Sequence, residues 1–302
     1  MRDLVLCEKY LKQWGTSSWG LGILKYANGS FSSIAMVANG TDLNGWKLET
    51  AVNTFGPAAD FNGDGADEIL VTSAWGIGIL GIGAPATLNA IVTAQNGSDI
   101  GWSLDSVTDV FGQTGNYSGG TFGSGGIGRA ELLVSSPLGV GILVYGETTV
   151  ETLAFISNGP LTGGWNLQMG ANLLGPTANY DGNSQDQILV TSAWGIGVLT
   201  LNRTTDNVNE PVISELVATT VVQNGPLGDW SLDTTVDNLW LAGNYSPTLG
   251  QLGQVQAGVF VTSPWGIGIL KLSEFDGVSS PMLQPNGARF GEWLLDTGSD
   301  QF

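Results

Sequence analysis

Residues 71–80 have the sequence VTSAWGIGIL, and this ten-residue segment returns four more times along the chain. VTSAWGIGVL at 190–199 and VTSPWGIGIL at 261–270 are close copies, whereas VSSPLGVGIL at 134–143 and GTSSWGLGIL at 15–24 are looser ones. Internal repetition with a period of tens of residues is typical of solenoids, propellers and arrays. The sequence therefore predicts a repeat protein whose 302 residues form five similar units.

A second marker gives the period of the repeat. Each unit contains an Asn-Gly pair that is followed by a Trp, and a Leu comes two residues after that Trp. Successive Trp of this marker are separated by 56, 63, 65 and 63 residues. The Trp-x-Leu alternation is that of a β-strand, in which every second side chain faces the same side. The pattern leaves open whether this GWxL segment is a short strand or an ordered connection.

The second unit contains four candidate strands at residues 55–60, 68–73, 77–82 and 89–96, with a hairpin turn at 74–76. Apolar runs bounded by turn-forming residues predict strands, and a four-stranded antiparallel unit repeated radially is a propeller blade. The chain starts within one unit and stops near the beginning of another. We therefore expect one all-β domain over residues 1–302, a five-bladed β-propeller whose ring is closed by pairing the N- and C-terminal segments.

Composition disfavours several classes of function. Lys and Arg number 9 against 27 Asp and Glu, and the net charge of −18 disfavours nucleic-acid and anionic membrane partners. There is no His, the commonest general base and transition-metal ligand, and a lone Cys7 forms no internal disulfide. No segment resembles a signal peptide or a membrane span. We expect a soluble protein, and the sequence leaves its compartment and oligomeric state open.

One loop of the second unit, DFNGDGADE at residues 60–68, places oxygen donors at alternating positions. These donors are the side chains of Asp60, Asn62, Asp64 and Glu68 and the carbonyl of Ala66. Calcium takes six to eight oxygen ligands, and a tight loop of this kind can wrap round it. The sequence predicts one calcium site here, and the alternative is an Asx turn that holds its shape by hydrogen bonds without a metal.

The pair Phe55-Gly56 followed by DFNGDGADEILV resembles the FG-GAP repeat of integrin α-type propellers. The resemblance implies a propeller blade in which the loop between the first two strands binds calcium on one face. It covers all five units in outline, whereas the loop itself is complete in the second unit alone. The repeated organisation is also similar in logic to that of propeller lectins.

Nine of the eleven Trp occupy repeat positions and form two sets. The hairpin set, between the second and third strands, comprises Trp19, Trp75, Trp194 and Trp265, with Leu138 in the remaining copy. The GWxL set comprises Trp46, Trp102, Trp165, Trp230 and Trp293, and it is followed by acidic residues at Glu49, Asp105, Asp233 and Asp296. Flat aromatic rings with polar neighbours suit the C–H face and the hydroxyls of a neutral sugar. The alternative role for both sets is packing between blades.

These patterns favour a non-catalytic binding module, a multivalent lectin-like propeller that presents several weak sites on one face. The alternative is a protein–protein interaction platform or structural subunit that uses the same face. A glycosidase is the third possibility, but its two carboxylates need different environments, and a repeated surface does not single out such a pair. Asp60 and Asp64 remain open as candidates for that role.

Overall fold

The computed structural model describes residues 12–27, 30–83, 87–119, 129–146, 148–183, 185–204, 213–245, 256–273 and 277–300. Within these ranges the chain forms β-strands and turns and no helix, which confirms the all-β prediction. The N-terminal residues 1–11 and the tail residues 301–302, which the predicted ring closure uses, lie outside the described part of the chain.

The first half of the chain forms three antiparallel sheets and one small hairpin. The strands are β1 (Lys12–Thr16), β2 (Gly20–Ala27), β3 (Ser30–Ala38), β4 (Asp42–Leu43), β5 (Trp46–Lys47), β6 (Thr54–Ala59), β7 (Glu68–Ser73), β8 (Gly76–Gly83), β9 (Thr87–Gln95), β10 (Val110–Gly115), β11 (Glu131–Ser136), β12 (Gly139–Tyr145) and β13 (Val150–Ser157). Strands β1–β3 form a three-stranded sheet, β6–β9 and β10–β13 form four-stranded sheets, and β4 pairs with β5.

The second half continues the same alternation of sheet and hairpin. Its strands are β14 (Gly159–Pro160), β15 (Asn166–Leu167), β16 (Leu173–Ala178), β17 (Gln187–Ser192), β18 (Gly195–Thr204), β19 (Ile213–Gln223), β20 (Gly225–Leu227), β21 (Trp230–Leu232), β22 (Asn238–Gly243), β23 (Gly258–Ser263), β24 (Gly266–Ser273), β25 (Gly277–Pro285), β26 (Arg289–Phe290) and β27 (Trp293–Leu294). Strands β16–β19 and β22–β25 are four-stranded sheets, and the six short strands pair as β14–β15, β20–β21 and β26–β27.

The GWxL segment is therefore a short strand in four of the five repeats, paired with the residues that follow the Asn-Gly turn. In the remaining repeat the pairing shrinks to a single bridge between Asp99 and Ser103. In the second sheet the four predicted strands are found within two residues of their predicted ends. These strands are apolar runs bounded by turns rich in Gly and Asn, and this is the pattern from which they were predicted.

Contacts within the chain group it into two compact units. One comprises Met1–Thr114, Thr121–Ser136 and Gly141–Phe155, and the other comprises Gly115–Gly120, Pro137–Val140 and Ile156–Phe302. The expected single domain over residues 1–302 stays a prediction.

In each of the two compact units the core consists of apolar layers that pack between consecutive sheets. In compact unit 1, buried Leu21, Trp46 and Val71 belong to one layer, and a second layer contains Phe61, Leu70, Trp102 and Leu132. In compact unit 2, a layer contains Tyr180, Leu189, Trp230, Val261 and Leu270. Middle strands such as β7, β12 and β17 are buried along most of their length, because both of their faces are covered.

Candidate ligand-binding surface at the hairpin ends of the sheets

The Asn of each Asn-Gly pair ties three segments together at one end of a sheet. Asn96 Nδ2 donates to the carbonyl of Ala74 (3.0 Å), Asn96 Oδ1 accepts from the backbone N of Ser106 (2.9 Å), and the Asn96 backbone N donates to the carbonyl of Trp75 (2.9 Å). The same three contacts are made by Asn39, Asn158, Asn224 and Asn286. These contacts, called the Asn clamp below, fix the tip that carries the hairpin Trp and place the hairpin and the turn after GWxL at the same end of a sheet.

A hydroxyl reinforces the clamp in four repeats. Thr234 Oγ1 donates to the carbonyl of Ser192 (2.6 Å), and Thr50, Ser106 and Thr297 make the equivalent bond. Met169 occupies this position in the remaining repeat, and its backbone N still donates to Asn158 Oδ1. The tip therefore stays hydrogen-bonded even where the hydroxyl is absent.

Four of the five GWxL Trp are buried, each against a glycine of the next sheet. A Cβ added to Gly197 would lie 2.7 Å from Trp165 Cε3, which explains why the third strand begins with Gly-x-Gly. The same contact pairs Trp46 with Gly78, Trp102 with Gly141 and Trp230 with Gly268. The exposed fractions of these four Trp are 0–5%, so their rings are not accessible to a ligand, and the packing alternative describes them.

An acceptor seven residues after each buried Trp holds its indole N–H. Trp165 Nε1 donates to Asn172 Oδ1 (3.2 Å), which also accepts from the backbone N of Gln168 (2.8 Å). The indole N–H groups of Trp46, Trp102 and Trp230 donate to Asn53, Asp109 and Asp237 in the same way. The sequence interpretation missed these residues, although their constant spacing from the Trp was a signal that could have found them.

The hairpin Trp differ from the GWxL set because three of them are substantially exposed: Trp19 by 52%, Trp75 by 41% and Trp194 by 39%. Trp265 is half-buried. Three hairpin Trp contact a buried Trp of the GWxL set. The ring centroids are 5.4 Å apart for Trp75 and Trp46, 4.8 Å for Trp194 and Trp165, and 4.2 Å for Trp265 and Trp230. The buried ring thus supports one side of the hairpin indole and leaves another part of it open to solvent.

The repeat is not uniform at this end of the sheets. Leu138 replaces the hairpin Trp in the third sheet and is exposed, and there the buried Trp102 stacks on Phe155 with ring centroids 4.8 Å apart. Trp293, the last of the GWxL set, is 45% exposed. Exposed Val52, Val107 and Val236 lie in the turns that the clamp fixes, and they add apolar surface beside the indoles.

The acidic residues that follow GWxL hold turns. Asp105 Oδ1 accepts from the backbone N of Val107 (3.0 Å), and Asp296 Oδ1 accepts from that of Gly298 (3.0 Å). Asp233 Oδ1 accepts from the hydroxyl and the backbone N of Thr235, and these two bonds lower the pKa of Asp233 below its usual value. Their carboxylates therefore have structural partners before any sugar is present.

The Asp60 loop is held by Asx-type hydrogen bonds. Asp60 accepts from the backbone N of Gly63 (2.7 Å) and of Gly65 (2.9 Å), and Asp64 Oδ1 accepts from that of Ala66 (2.8 Å). Asn62 Nδ2 donates to both Asp64 Oδ2 and Glu68 Oε1, each at 3.0 Å. Within the described residues no group of three or more His, Cys, Asp or Glu is arranged to hold a metal ion.

Glu68 is the buried member of this loop. Glu68 Oε2 accepts from the backbone N of Phe61 (2.9 Å) and Asn62 (3.3 Å), whereas burial, with smaller contributions from the charges of Asp64 and Asp60, raises its pKa to about 7. Gln187 has the same place in the fourth sheet, where its Oε1 accepts from the backbone N of Tyr180 (2.6 Å). A neutral amide at this position thus accepts the same backbone hydrogen bond as the carboxylate of Glu68.

The donor set of the loop suits calcium in chemistry, since four oxygen-bearing side chains and a carbonyl lie in nine residues. A divalent cation would relieve the electrostatic cost of the buried Glu68 carboxylate. The Asn62 amide nitrogen, however, donates to the carboxylates of Asp64 and Glu68, and the described residues of the loop are not arranged around an ion, so calcium at this loop stays a prediction.

Comparison with known proteins gives the fold and little more. No protein-family model matches the sequence, and no curated protein matches it either. A lectin from Agrocybe aegerita, whose structure concerns specific recognition of non-reducing terminal N-acetylglucosamine, aligns with a TM-score of 0.55 at 13% identity over 94% of this chain. The chain shares a propeller-like fold with that lectin. It spans 65% of the lectin's length.

Two further structures align less well. A putative 6-phosphogluconolactonase from Bacteroides uniformis has a TM-score of 0.43 at 10% identity, over 93% of this chain and 68% of the other. A Photorhabdus luminescens Tc holotoxin pore has a TM-score of 0.40 at 12% identity, over 97% of this chain and 12% of the other. Among the described residues no helix has the length and apolar character needed to cross a membrane.

Proposed function

We propose that the protein is a non-catalytic, lectin-like module that binds carbohydrate through the exposed hairpin Trp. The observation that carries the proposal is the exposure of Trp19, Trp75 and Trp194 at clamped sheet ends. A rigid indole loses little conformational entropy when a sugar stacks on it, and its open face accepts C–H groups. The buried Trp46 and Trp165 support Trp75 and Trp194, and we do not propose the buried GWxL Trp as ligand contacts.

Several equivalent sites on one protein give avidity that a single weak site lacks. The Agrocybe aegerita lectin, whose structure concerns recognition of terminal N-acetylglucosamine, has a similar propeller-like fold. N-acetylglucosamine is therefore the first sugar to test here. The proposal includes the finer architecture expected from the sequence, a closed ring of five FG-GAP-like blades. It also includes one structural calcium ion held by Asp60, Asn62, Asp64, the Ala66 carbonyl and Glu68.

A glycan array, run with and without calcium and with free sugar as competitor, tests the function. We expect selective binding that the double variant Trp75→Ala/Trp194→Ala reduces by at least tenfold, since each lost stacking contact removes about 1 kcal/mol and avidity multiplies the loss. Trp240→Ala is the matched control, because Trp240 is equally exposed at 42% but lies on strand β22, outside the hairpin set, where its Nε1 donates to Thr262 Oγ1 (2.8 Å).

Binding to no glycan, together with a stable protein partner in pull-down, would instead support the interaction platform. Turnover of a glycoside that a single carboxylate substitution abolishes would support the glycosidase. In either case the lectin proposal fails.

A further inference from the structure

A cavity of about 310 Å³ lies in compact unit 1, between strand β3, strands β8 and β9, and the Asp60 loop. Its apolar walls are Ile34, Ile82 and Ile91, one from each of these three strands. The loop contributes Asn62, Asp64, Ala66, Asp67 and Glu68 to the lining. The cavity is therefore amphipathic, with aliphatic and polar side chains in the same lining.

Gly81 opens this cavity, and the second sheet alone has Gly at that strand position. The equivalent residues of the other sheets, six positions after the hairpin Trp or Leu138, are Lys25, Val144, Thr200 and Lys271. A Cβ at position 81 would lie 3.3 Å from Ile91 Cγ2 and 3.4 Å from Glu68 Cγ, so any larger side chain takes up space in the cavity. This glycine therefore distinguishes the second sheet from the other four.

One carboxylate in this cavity is unpaired. Asp67 has no hydrogen bond or ion pair within the described residues, whereas Asp186, at the same loop position in the fourth sheet, accepts from the backbone N of Asn116 (2.7 Å). Asn89 also lines the cavity, and its Nδ2 donates to Thr87 Oγ1 (3.3 Å). The Asn62 amide is engaged by two carboxylates, and no Lys or Arg lines the cavity.

We propose that this cavity binds a small ligand that carries a primary ammonium group on an aliphatic frame. The ammonium donates to Asp67 and to Asn89 Oδ1, and the aliphatic part packs against Ile34, Ile82 and Ile91. A cation is favoured because the lining includes the carboxyl groups of Asp64, Asp67 and Glu68 and no Lys or Arg. The size suits a chain of a few carbons. This site is separate from the hairpin surface and does not depend on carbohydrate binding.

Calorimetric titration of the full chain with n-butylammonium, in the presence of a calcium chelator, tests the proposal, with n-butanol as the uncharged probe of the same shape. We expect saturable n-butylammonium binding and no measurable binding of n-butanol. Asp67→Asn keeps the shape of the side chain and removes its charge, and we expect it to weaken n-butylammonium about tenfold, as the loss of one charge-assisted hydrogen bond does. Gly81→Val, which introduces the residue found at the equivalent Val144, should abolish binding by filling the cavity.

Asp229→Asn is the matched control, because Asp229 is an exposed carboxylate in a turn of the second unit. Melting temperatures of all variants separate lost binding from lost folding. Equal affinity for n-butylammonium and n-butanol, or n-butylammonium binding that survives both Asp67→Asn and Gly81→Val, would overturn the proposal. Absence of n-butylammonium binding would overturn it as well, and it would leave glycan binding at the hairpin Trp unaffected.

Discussion

Asn224 shows how one side chain can determine the shape of a binding surface. Its side-chain amide donates to the carbonyl of Ala193 (3.0 Å), its oxygen accepts from the backbone N of Thr234 (3.1 Å), and its backbone N donates to the carbonyl of Trp194 (2.8 Å). The bonds join the hairpin, the Asn-Gly turn and the turn after GWxL. The same contacts are made by the other four Asn, which explains why the Asn-Gly pair recurs five times along the chain.

Asn224→Ala should destabilise the protein by about 1–3 kcal/mol, because the two hydrogen bonds of its side chain are lost together. It should also reduce sugar binding at Trp194, whose backbone carbonyl accepts from the Asn224 backbone N. Urea denaturation measures the first effect, and Asn244→Ala, at an exposed loop residue, is the control. A variant as stable as the parent protein would show that the clamp is dispensable.

Glu68 makes stability depend on pH in a defined direction. Its pKa is about 7 in the folded protein, above the ordinary value of 4.5, so the folded state holds the proton more tightly. The stabilisation from that proton is complete below pH 4.5, declines as the pH rises, and is lost above about pH 7. In Glu68→Gln, which mimics Gln187, this part of the pH dependence should disappear from denaturation curves measured between pH 5 and 8.

Calcium should act on the same residue. If the ion binds the Asp60 loop, it favours the ionised carboxylate, so adding calcium at pH 6.5 should release up to one proton and raise the melting temperature. Asp64→Ala should remove both effects. A melting temperature that is insensitive to calcium and to chelator would leave the Asx turn as the description of the loop.

At the scale of the element, the GWxL strand and the Gly-x-Gly strand form a matched pair. Gly197→Ala should destabilise the protein by about 1–3 kcal/mol, because its Cβ would overlap the ring of Trp165. Gly15→Ala, where no atom lies within 4 Å of the added Cβ, is the control and should be near neutral. Thermal unfolding compares the two, and equal stabilities would contradict the packing role.

The sequence predicted these elements well and their roles less well. Apolar runs bounded by turn-forming residues located the strands of the second sheet to within two residues, because middle strands such as β7 are covered on both faces and are apolar along most of their length. It could not separate exposed Trp75 from buried Trp46, since both are Trp at repeat positions. Burial depends on which glycine of the next sheet faces the ring, and Gly78 faces Trp46 through tertiary packing that local pattern does not encode.

At the scale of the whole molecule, ring closure is the proposal with the largest consequences. Gly22 occupies the repeat position of Gly78 and Gly197, yet among described residues its added Cβ would meet nothing nearer than Gly15 O at 4.0 Å. A closed ring requires this space to be filled, and it requires the exposed Trp293 to be covered as its four counterparts are. Gly22→Ala should then destabilise the protein as much as Gly197→Ala does. Near-neutral behaviour of Gly22→Ala would count against closure.

One measurement distinguishes the exposed hairpin indoles, which we propose to bind sugar, from the buried indoles, which pack between sheets. In protein labelled with 5-fluorotryptophan, ¹⁹F NMR reports each of the eleven Trp separately, and single substitutions assign the resonances. On titration with the strongest glycan from the array, the account predicts that the resonances of Trp75 and Trp194 shift and saturate together, whereas those of Trp102 and Trp240 stay in place. Saturable shifts at Trp102 or Trp240 with Trp75 and Trp194 unmoved would contradict it.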